Sequence, residues 1–333
     1  MAPALELAHS ALAEGRYEAA FATLEGAARR QRVRAVQARY WLHLAACYAL
    51  YGLDGLENGV PALKAAVAAE PQMVSDPLYQ ALYWEFDAYR GASASEVKRG
   101  LRAIPGDMPP IAAYHAGAAL LAVGASKSAL RRLEPLRDDA LPTYLVWRRW
   151  SLLGQAQEAL GEWSSAAIAY GAAVDGAPAS ERGPELLAYA SCLLELGRID
   201  EVLAVLGDVN EEALDEVDVG LMRYVEGRAQ LEAGNPNRAH ELFVEARAFV
   251  YIHTAVNVGF DQSPSEKQHG IQLGFFCLIP NHKSRGPGAM SITGAVCKND
   301  FKCNRCFAQK PDIHCFQKPD HVDFSRLWWL FIC

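Results

Sequence analysis

Apolar residues recur three and four positions apart through most of the first 250 residues, and each such stretch ends at a glycine. This spacing places the apolar side chains on one face of an α-helix. The glycines that end these stretches are nearly evenly spaced, with gaps of 33 to 39 residues: Gly15, Gly52, Gly91, Gly124, Gly161, Gly197 and Gly234. Because glycine adopts the left-handed conformation at low cost, each predicts a tight turn between two helices. The period predicts an all-α chain of about seven helix pairs.

The unit from Tyr144 to Pro178 shows the pattern most clearly. Its marker positions alternate between small and large side chains: Trp150, Leu153, Gly154 and Gln157 in the first helix, then Ala166, Tyr170 and Ala173 in the second. Within each helix these positions are three or four apart, so they share one face. We expect the small residues to let the two helices approach closely and the aromatic residues to fill the wider gaps.

This pattern resembles the tetratricopeptide repeat, W-x2-L-G-x2-Y followed by G-x-Y-x2-A-x3-F-x2-A-x4-P. The second unit matches the whole first-helix pattern with Trp41, Leu44, Ala45 and Tyr48. The third unit, around Gly91, matches least, because Glu96 and Gly100 stand where a small and an aromatic residue are expected. The resemblance covers residues 3–249 and implies an α-solenoid of about seven helix-turn-helix repeats.

The resemblance also implies a binding protein rather than an enzyme. In this family the ligand lies on the concave face, which the exposed positions of each first helix line. Carried onto this chain, these positions are Arg39, Leu42, Arg148, Ser151, Gln155, Glu158, Leu187, Ser191, Tyr224 and Arg228. Their mixture of polar and apolar side chains suits a peptide or protein segment laid in a groove. We therefore expect a scaffold or adaptor. The alternatives are a ligand-sensing regulatory module of a signalling or transcription system and a protein that binds zinc through the cysteines of its tail.

Catalytic motifs are not found in the sequence. It has no G-x-S-x-G, P-loop, H-E-x-x-H or dinucleotide-binding pattern. The histidines of the repeats, His9, His43, His115 and His240, occur at most once per unit, and we expect them to be packing or surface residues. The sequence therefore predicts no catalytic residue and no cofactor.

The charge balance bears on the partner. The chain carries a net charge of −7, with −10 in the first 250 residues and +3 in the last 83. An acidic array repels nucleic acid at long range, so a nucleic-acid ligand is disfavoured. A short basic segment between the first two units, Arg29 to Arg34, is expected to be a solvated turn.

The composition changes at about residue 250, which predicts a repeat array over 1–249 and a separate tail over 250–333. Six of the eight cysteines lie in this tail. A zinc site is one interpretation, with the Cys303-x2-Cys306 spacing joined by Cys297, His314 or Cys315. A disulfide-linked extracellular segment is a second. The third, a frameshift or fusion product never selected to fold with the array, accounts best for the change in composition and predicts an irregular or disordered tail.

The ends of the chain give two further expectations. Met1–Ser10 shows no signal-peptide pattern and no stretch is apolar enough to span a membrane, so we expect a cytoplasmic protein without a membrane partner. High alanine and arginine with little lysine is typical of bacterial proteins. The last repeat is followed by no recognisable capping helix, which predicts self-association through Leu242 and Phe243.

Overall fold

The computed structural model describes residues 3–104, 108–257, 273–277 and 315–319. The backbone divides into two compact units, residues 1–258 and residues 259–332. Within the described residues the first unit is entirely helical, which confirms the predicted all-α class for the repeats. Its α-helices are α1 (Pro3–Ala13), α2 (Tyr17–Arg30), α3 (Arg34–Ala49), α4 (Leu56–Ala69), α5 (Pro77–Tyr89), α6 (Ala94–Arg102), α7 (Pro110–Ala122), α8 (Ser126–Leu133), α9 (Thr143–Glu158), α10 (Trp163–Gly176), α11 (Arg182–Glu195), α12 (Ile199–Gly207), α13 (Glu216–Glu232) and α14 (Pro236–Asn257).

These helices form seven consecutive pairs, and a predicted glycine lies in the turn of each pair. All seven glycines have a positive φ, between 57° and 96°. At Gly161, between α9 and α10, a Cβ atom would meet nothing within 4 Å. The left-handed backbone conformation, rather than crowding, therefore requires glycine there. The prediction of seven turn glycines is confirmed.

A small residue on one helix faces a large residue on the other within several pairs. A Cβ added at Gly154 of α9 would lie 2.8 Å from the ring of Tyr170 on α10, which is 1% exposed. The same relation joins Gly227 of α13 to Phe243 of α14, where the distance would be 2.7 Å. The predicted combination of close approach and aromatic filling is thus present between these helices.

In the third pair the large residue lies on the first helix and the glycine lies on the second. Trp84 of α5 fills the gap and Gly100 of α6 makes room for it, since a Cβ at Gly100 would fall 1.8 Å from the indole. Glu96, the other residue that weakened the sequence match, accepts a hydrogen bond from the backbone N–H of Ser93 at 2.9 Å. Ser93 caps α6 in return, so the two residues form a capping box. The third unit therefore departs from the sequence pattern but retains the paired packing.

Each helix from α1 to α13 contacts the helix that follows it. A contact between helices far apart in the sequence also occurs in the first part of the chain. Helix α1 packs against α9, so α1 to α9 form a closed ring of contacts, hereafter the ring. Helix α7 is one of the helices of this ring. All ten of its residues from Ala112 to Leu121 are buried, so every face of this helix is covered. A helix that is apolar all round is buried all round.

The end of the helical unit and the second unit differ in part from the expectation. Helix α14 continues to Asn257, beyond the predicted boundary at 249, because no glycine or proline interrupts residues 250–257. The tail, predicted to be irregular, contains strands β1 (Leu273–Cys277) and β2 (Cys315–Pro319), which pair antiparallel. Both strands contain phenylalanine, which favours this conformation. The frameshift, disulfide and zinc interpretations concern residues that lie mostly outside the described ones.

The helices of the described part include none that is both long enough and apolar enough to cross a lipid bilayer.

Candidate functional site: the inner face of the helix pairs

The first helix of each pair supplies the predicted binding face. Ten positions on α3, α9, α11 and α13 were predicted from the repeat pattern to be exposed there. Because α1 packs against α9, the structure divides these positions into two groups. One group lies where the ring closes, and the other lies on the part of α9 beyond it and on α11 and α13.

Arg148 of α9 is the centre of the ring closure. Its guanidinium donates a 2.7 Å hydrogen bond to the hydroxyl oxygen of Tyr17, the first residue of α2. It lies 3.7 Å from the carboxylate of Glu181 and is centred 4.4 Å from the ring of Trp147. Only 15% of the Arg148 side chain is exposed. An arginine so enclosed binds planar groups on both sides and joins the first helix pair to the fifth.

The turn between α1 and α2 adds a second contact to the closure. A Cβ atom at Gly15 would lie 2.8 Å from the hydroxyl oxygen of Ser180 and 3.6 Å from Pro178. These two residues belong to the connection between α10 and α11. Pro178, read from the sequence as the end of a repeat, therefore also packs against the start of the chain.

Two histidines of different helices are in ring contact inside the ring, and a third acts on them electrostatically. The ring centroid of His9 on α1 is 5.9 Å from that of His43 on α3 and 5.1 Å from that of Tyr144 on α9. His115 of α7 also acts electrostatically on His43. These histidines, with Tyr144, link α1 to the helices on either side of it. We call His9, His43 and His115 the histidine cluster.

His115 is fully buried and pairs with a buried carboxyl group. Its Nδ1 lies 2.7 Å from a carboxylate oxygen of Glu85 on α5, and both side chains are at most 2% exposed. Burial raises the pKa of Glu85, although the neighbouring imidazole acts in the opposite direction. Such a pair is costly to break, because either partner would be left as an unpaired buried polar group.

The other two histidines have no acidic partner of this kind. Burial lowers the pKa of His9, and it lowers the pKa of His43 to about 4, with further contributions from His9, Arg39 and His115. The Nδ1 atom of His43 and the Nε2 atom of His115 are buried and make no hydrogen bond in the described part of the chain. Burial therefore disfavours the charged form of both His9 and His43.

The predicted binding positions near the closure are mostly covered. Leu42 is 3% exposed and Ser151 is 6% exposed, so neither lies on an open surface as predicted. Ser151 donates a 2.8 Å hydrogen bond to Glu185 of α11. Arg148 is enclosed by the contacts described above, whereas Arg39 is exposed. These predicted positions are covered because the ring closes, and the repeat pattern did not predict that closure.

The predicted positions beyond the closure remain accessible, with one exception. Leu187 is fully buried at 0% exposure, because it lies on the side of α11 that packs into the core. Gln155, Glu158 and Ser191 are half-buried, and Tyr224 is 48% exposed. The positions that are accessible on the three first helices α9, α11 and α13, which we call the C-terminal face, are Gln155, Glu158, Ser191, Tyr224 and Arg228.

Hydrogen bonds and ion pairs hold most of the C-terminal face in place. Gln155 donates to the hydroxyl of Ser151, and Ser191 donates to the carbonyl of Leu187 on its own helix. Arg228 of α13 donates a 2.6 Å hydrogen bond to Glu195 of α11. These contacts orient polar groups toward one surface before any partner is present, which lowers the entropy cost of binding.

Two carboxyl groups in this region lie in poorly solvated surroundings. Burial raises the pKa of Glu158 to about 7, and nearby Glu195 acts in the same direction, although the hydroxyl of Tyr170 donates a 2.7 Å hydrogen bond to it. Burial also raises the pKa of Glu185 to about 7, and one of its oxygens has no partner among the described residues. Glu158 forms no ion pair with any described lysine, arginine or histidine.

Thiols and metal ligands give no reactive centre in the described part. Cys47 and Cys192 are buried, and burial raises the pKa of the Cys47 thiol to about 12, so it stays protonated. No group of three or more histidine, cysteine, aspartate or glutamate side chains is arranged to hold a metal ion among the described residues. Cys277 lies opposite Cys315 in the strand pair, while Cys297, Cys303, Cys306 and His314 lie outside the described residues.

The surface predicted for self-association is mostly covered. Leu242 is 0% exposed, and Phe243 is half-buried with its ring centroid 5.9 Å from that of Tyr224. Neither residue offers an open apolar surface in the described part. Association through the last pair stays a prediction.

The histidine cluster is the feature that sequence reasoning missed. Its histidines were treated as scattered, yet their positions relative to the turn glycines are regular. His43 and His115 each precede their glycine by nine residues, while His9 and Glu85 precede theirs by six. Residues three apart share a face of a helix, so these four residues belong to one inward-facing row of the repeats.

Comparison with known proteins adds no assignment. No protein-family model matches the chain, and no curated protein matches it significantly.

Proposed function

We propose that this protein is a non-enzymatic binding module, a tetratricopeptide-like solenoid that holds a peptide or protein segment on its C-terminal face. The observation that supports this best is the exposure of Tyr224, together with the partial exposure of four further positions on three successive first helices: Gln155, Glu158, Ser191 and Arg228. Of the predicted positions at the ring closure, Leu42, Arg148 and Ser151 are largely covered by the protein itself, whereas Arg39 is exposed. A partner therefore binds beyond the ring, along α9, α11 and α13.

Tyr224 is the anchor of this face. It is 48% exposed, and its ring packs beside Phe243, which limits its freedom. An exposed but supported aromatic ring with a hydroxyl group offers a large contact area at low entropy cost. Arg228, one turn further along α13, is kept in place by Glu195 and can bind a carbonyl or carboxylate of the partner.

The charge of the C-terminal face favours a partner with a basic residue. Glu195 and Glu232 flank the single arginine of this face, Arg228, at 2.6 Å and 3.8 Å, and Glu195 also acts on Glu158. The carboxyl group of Glu158 is shielded from water without a cation beside it. A lysine or arginine of the partner would supply that cation and favour the ionised carboxylate.

A peptide selection tests this proposal. We would display random twelve-residue peptides, select them on the wild-type protein, and measure the affinities of enriched sequences by calorimetry. We expect enriched peptides to contain lysine or arginine and to lose at least about tenfold in affinity to Tyr224→Ala, because an aromatic anchor carries more than about 1.4 kcal/mol.

Tyr83→Ala is the matched control, since Tyr83 is similarly exposed, at 43%, but lies on α5 away from this face. Its affinity for the enriched peptides should equal that of the wild type. The proposal fails if no peptide is enriched, or if Tyr224→Ala and Tyr83→Ala bind the enriched peptides equally well.

A further inference from the structure

The contact of α1 with α9 places His9 of α1 against aromatic rings of α3 and α9. His9 of α1 lies between His43 of α3 and Tyr144 of α9, with ring centroids 5.9 Å and 5.1 Å away. Behind it, the Nδ1 atom of His43 is buried without a hydrogen-bond partner in the described part of the chain. A proton added to this Nδ1 atom would place a charge where no described group accepts its hydrogen bond.

The groups that act on His43 are all bases. They are His9 of α1, Arg39 on its own helix and His115 of α7. Glu85 of α5 is the carboxylate that contacts the cluster, and it is engaged by His115 at 2.7 Å. Tyr144 contributes an aromatic ring from α9, and burial raises the pKa of its hydroxyl, so it brings no negative charge. Protonation of His43 is therefore opposed from each neighbouring side.

We propose that α1 is an acid-released latch, which closes the ring while the histidine cluster is neutral and leaves α9 when His9 and His43 become protonated. Release of α1 separates His9 from Tyr144 of α9, whereas the hydrogen bond between Arg148 and Tyr17 belongs to α2. The face of α9 that α1 contacts then becomes accessible. This inference concerns the ring and does not rest on the function proposed for the C-terminal face.

The direction of the pH effect follows from the lowered pKa values. A histidine whose pKa is lower in the closed than in the open state favours closure at high pH, and the closed state is lost as the pH falls. For His43 the range runs from the ordinary value of 6.5 down to about 4. If the pKa of His43 returns to 6.5 in the open state, the ratio of open to closed molecules increases up to about 300-fold across that range.

Energy transfer between two dyes tests the latch directly. The dyes are attached to unnatural amino acids at Leu7 of α1 and Ile168 of α10, which are 64% and 73% exposed. We expect the transfer efficiency to fall between pH 6.5 and 4 in the full-length protein. A second pair at Ile168 and Val244 of α14, which is 55% exposed, should keep its efficiency, since α1 takes no part in it.

Replacing histidines by the neutral residue glutamine tests whether the histidines cause the opening. The variant His9→Gln with His43→Gln should open at a pH at least one unit lower than the wild type, whereas His240→Gln should open like the wild type. Circular dichroism at pH 8 identifies any variant that has not folded, and the single variant His9→Gln then replaces it. A constant transfer efficiency down to pH 4, a simultaneous loss for both dye pairs, or an unchanged opening pH in the histidine variants would each overturn the proposal.

Discussion

Size complementarity between single residues determines how closely the two helices of a pair approach. Glycine on one helix and an aromatic residue on the other recur at Gly154 with Tyr170 and at Gly227 with Phe243. In this arrangement the aromatic ring covers the backbone of the facing helix. The contact tolerates little added volume, because the interior is packed at the density of a crystal.

Gly154→Ala tests this contact. The added Cβ would lie 2.8 Å from the Tyr170 ring, so we expect a loss of about 1–3 kcal/mol in the free energy of unfolding, measured by urea denaturation. Gly171→Ala is the control in the neighbouring helix, where the Cβ would meet only Tyr189 at 3.9 Å. It should stabilise the protein by about 0.5–1 kcal/mol through helix propensity. Equal effects of the two substitutions would show that the contact with Tyr170 is not tight.

The sequence allowed some of these residue contacts to be predicted but not all. Gly154, Ala166 and Tyr170 were assigned correctly, because a spacing of three and four positions identifies the face of each helix. The reversed contact of Trp84 with Gly100 was not foreseen. Periodicity shows which positions face the partner helix, but it does not show which helix supplies the large residue.

At the scale of elements, α9 belongs both to the ring and to the C-terminal face. Its first half contacts α1 and α2 through Tyr144 and Arg148, while its last turn presents Glu158 beside α10 and α11. The carboxyl group of Glu158 receives a hydrogen bond from Tyr170 but no cation. We infer that α9 ends with a charge that lowers stability at neutral and basic pH.

Glu158→Gln should reveal this cost. Glutamine keeps an oxygen to accept the Tyr170 hydrogen bond and carries no charge. Because the pKa of Glu158 is raised to about 7, its destabilising effect develops as the pH rises from about 4.5 to 7. We expect the variant to be more stable than the wild type by roughly 1–3 kcal/mol at pH 8, with little difference at pH 4.5, in urea denaturation.

The exposed residue Glu162, just after the same turn, supplies the control for this prediction. Glu162→Gln should change stability little, and by the same amount at both pH values. A Glu158→Gln variant that is less stable than the wild type at pH 8 would contradict the proposed environment of Glu158.

The closure of the ring could not be deduced from repeat spacing alone. Repeats define contacts between neighbours in sequence, whereas α1 and α9 are separated by about 130 residues. The sequence of α7 nevertheless contains one indication that the inner face is covered. Its sequence is apolar from Ala112 to Leu121 apart from Tyr114 and His115, which leaves no polar face for a groove. A uniformly apolar first helix indicates that the inner face is covered at that repeat.

At the scale of the whole helical unit, the ring separates two kinds of inner face. Within the ring the inner face holds the buried pair of His115 and Glu85 and the half-buried His9, His43 and Arg148. Beyond the ring, the C-terminal face keeps polar and aromatic side chains accessible. The predicted groove of ten positions therefore becomes a shorter surface on α9, α11 and α13. Its use as a binding surface stays a proposal.

The central claim, that α1 closes the ring against α9, can be tested by one nuclear magnetic resonance measurement at pH 8. With histidine and tyrosine labelled selectively, a nuclear Overhauser effect should join the rings of His9 and Tyr144, whose centroids are 5.1 Å apart. Tyr114 and His115 of α7, also 5.1 Å apart, provide the internal standard. Our account predicts cross-peaks of similar strength for the two pairs. A strong Tyr114–His115 cross-peak with none between His9 and Tyr144 would contradict the closed ring.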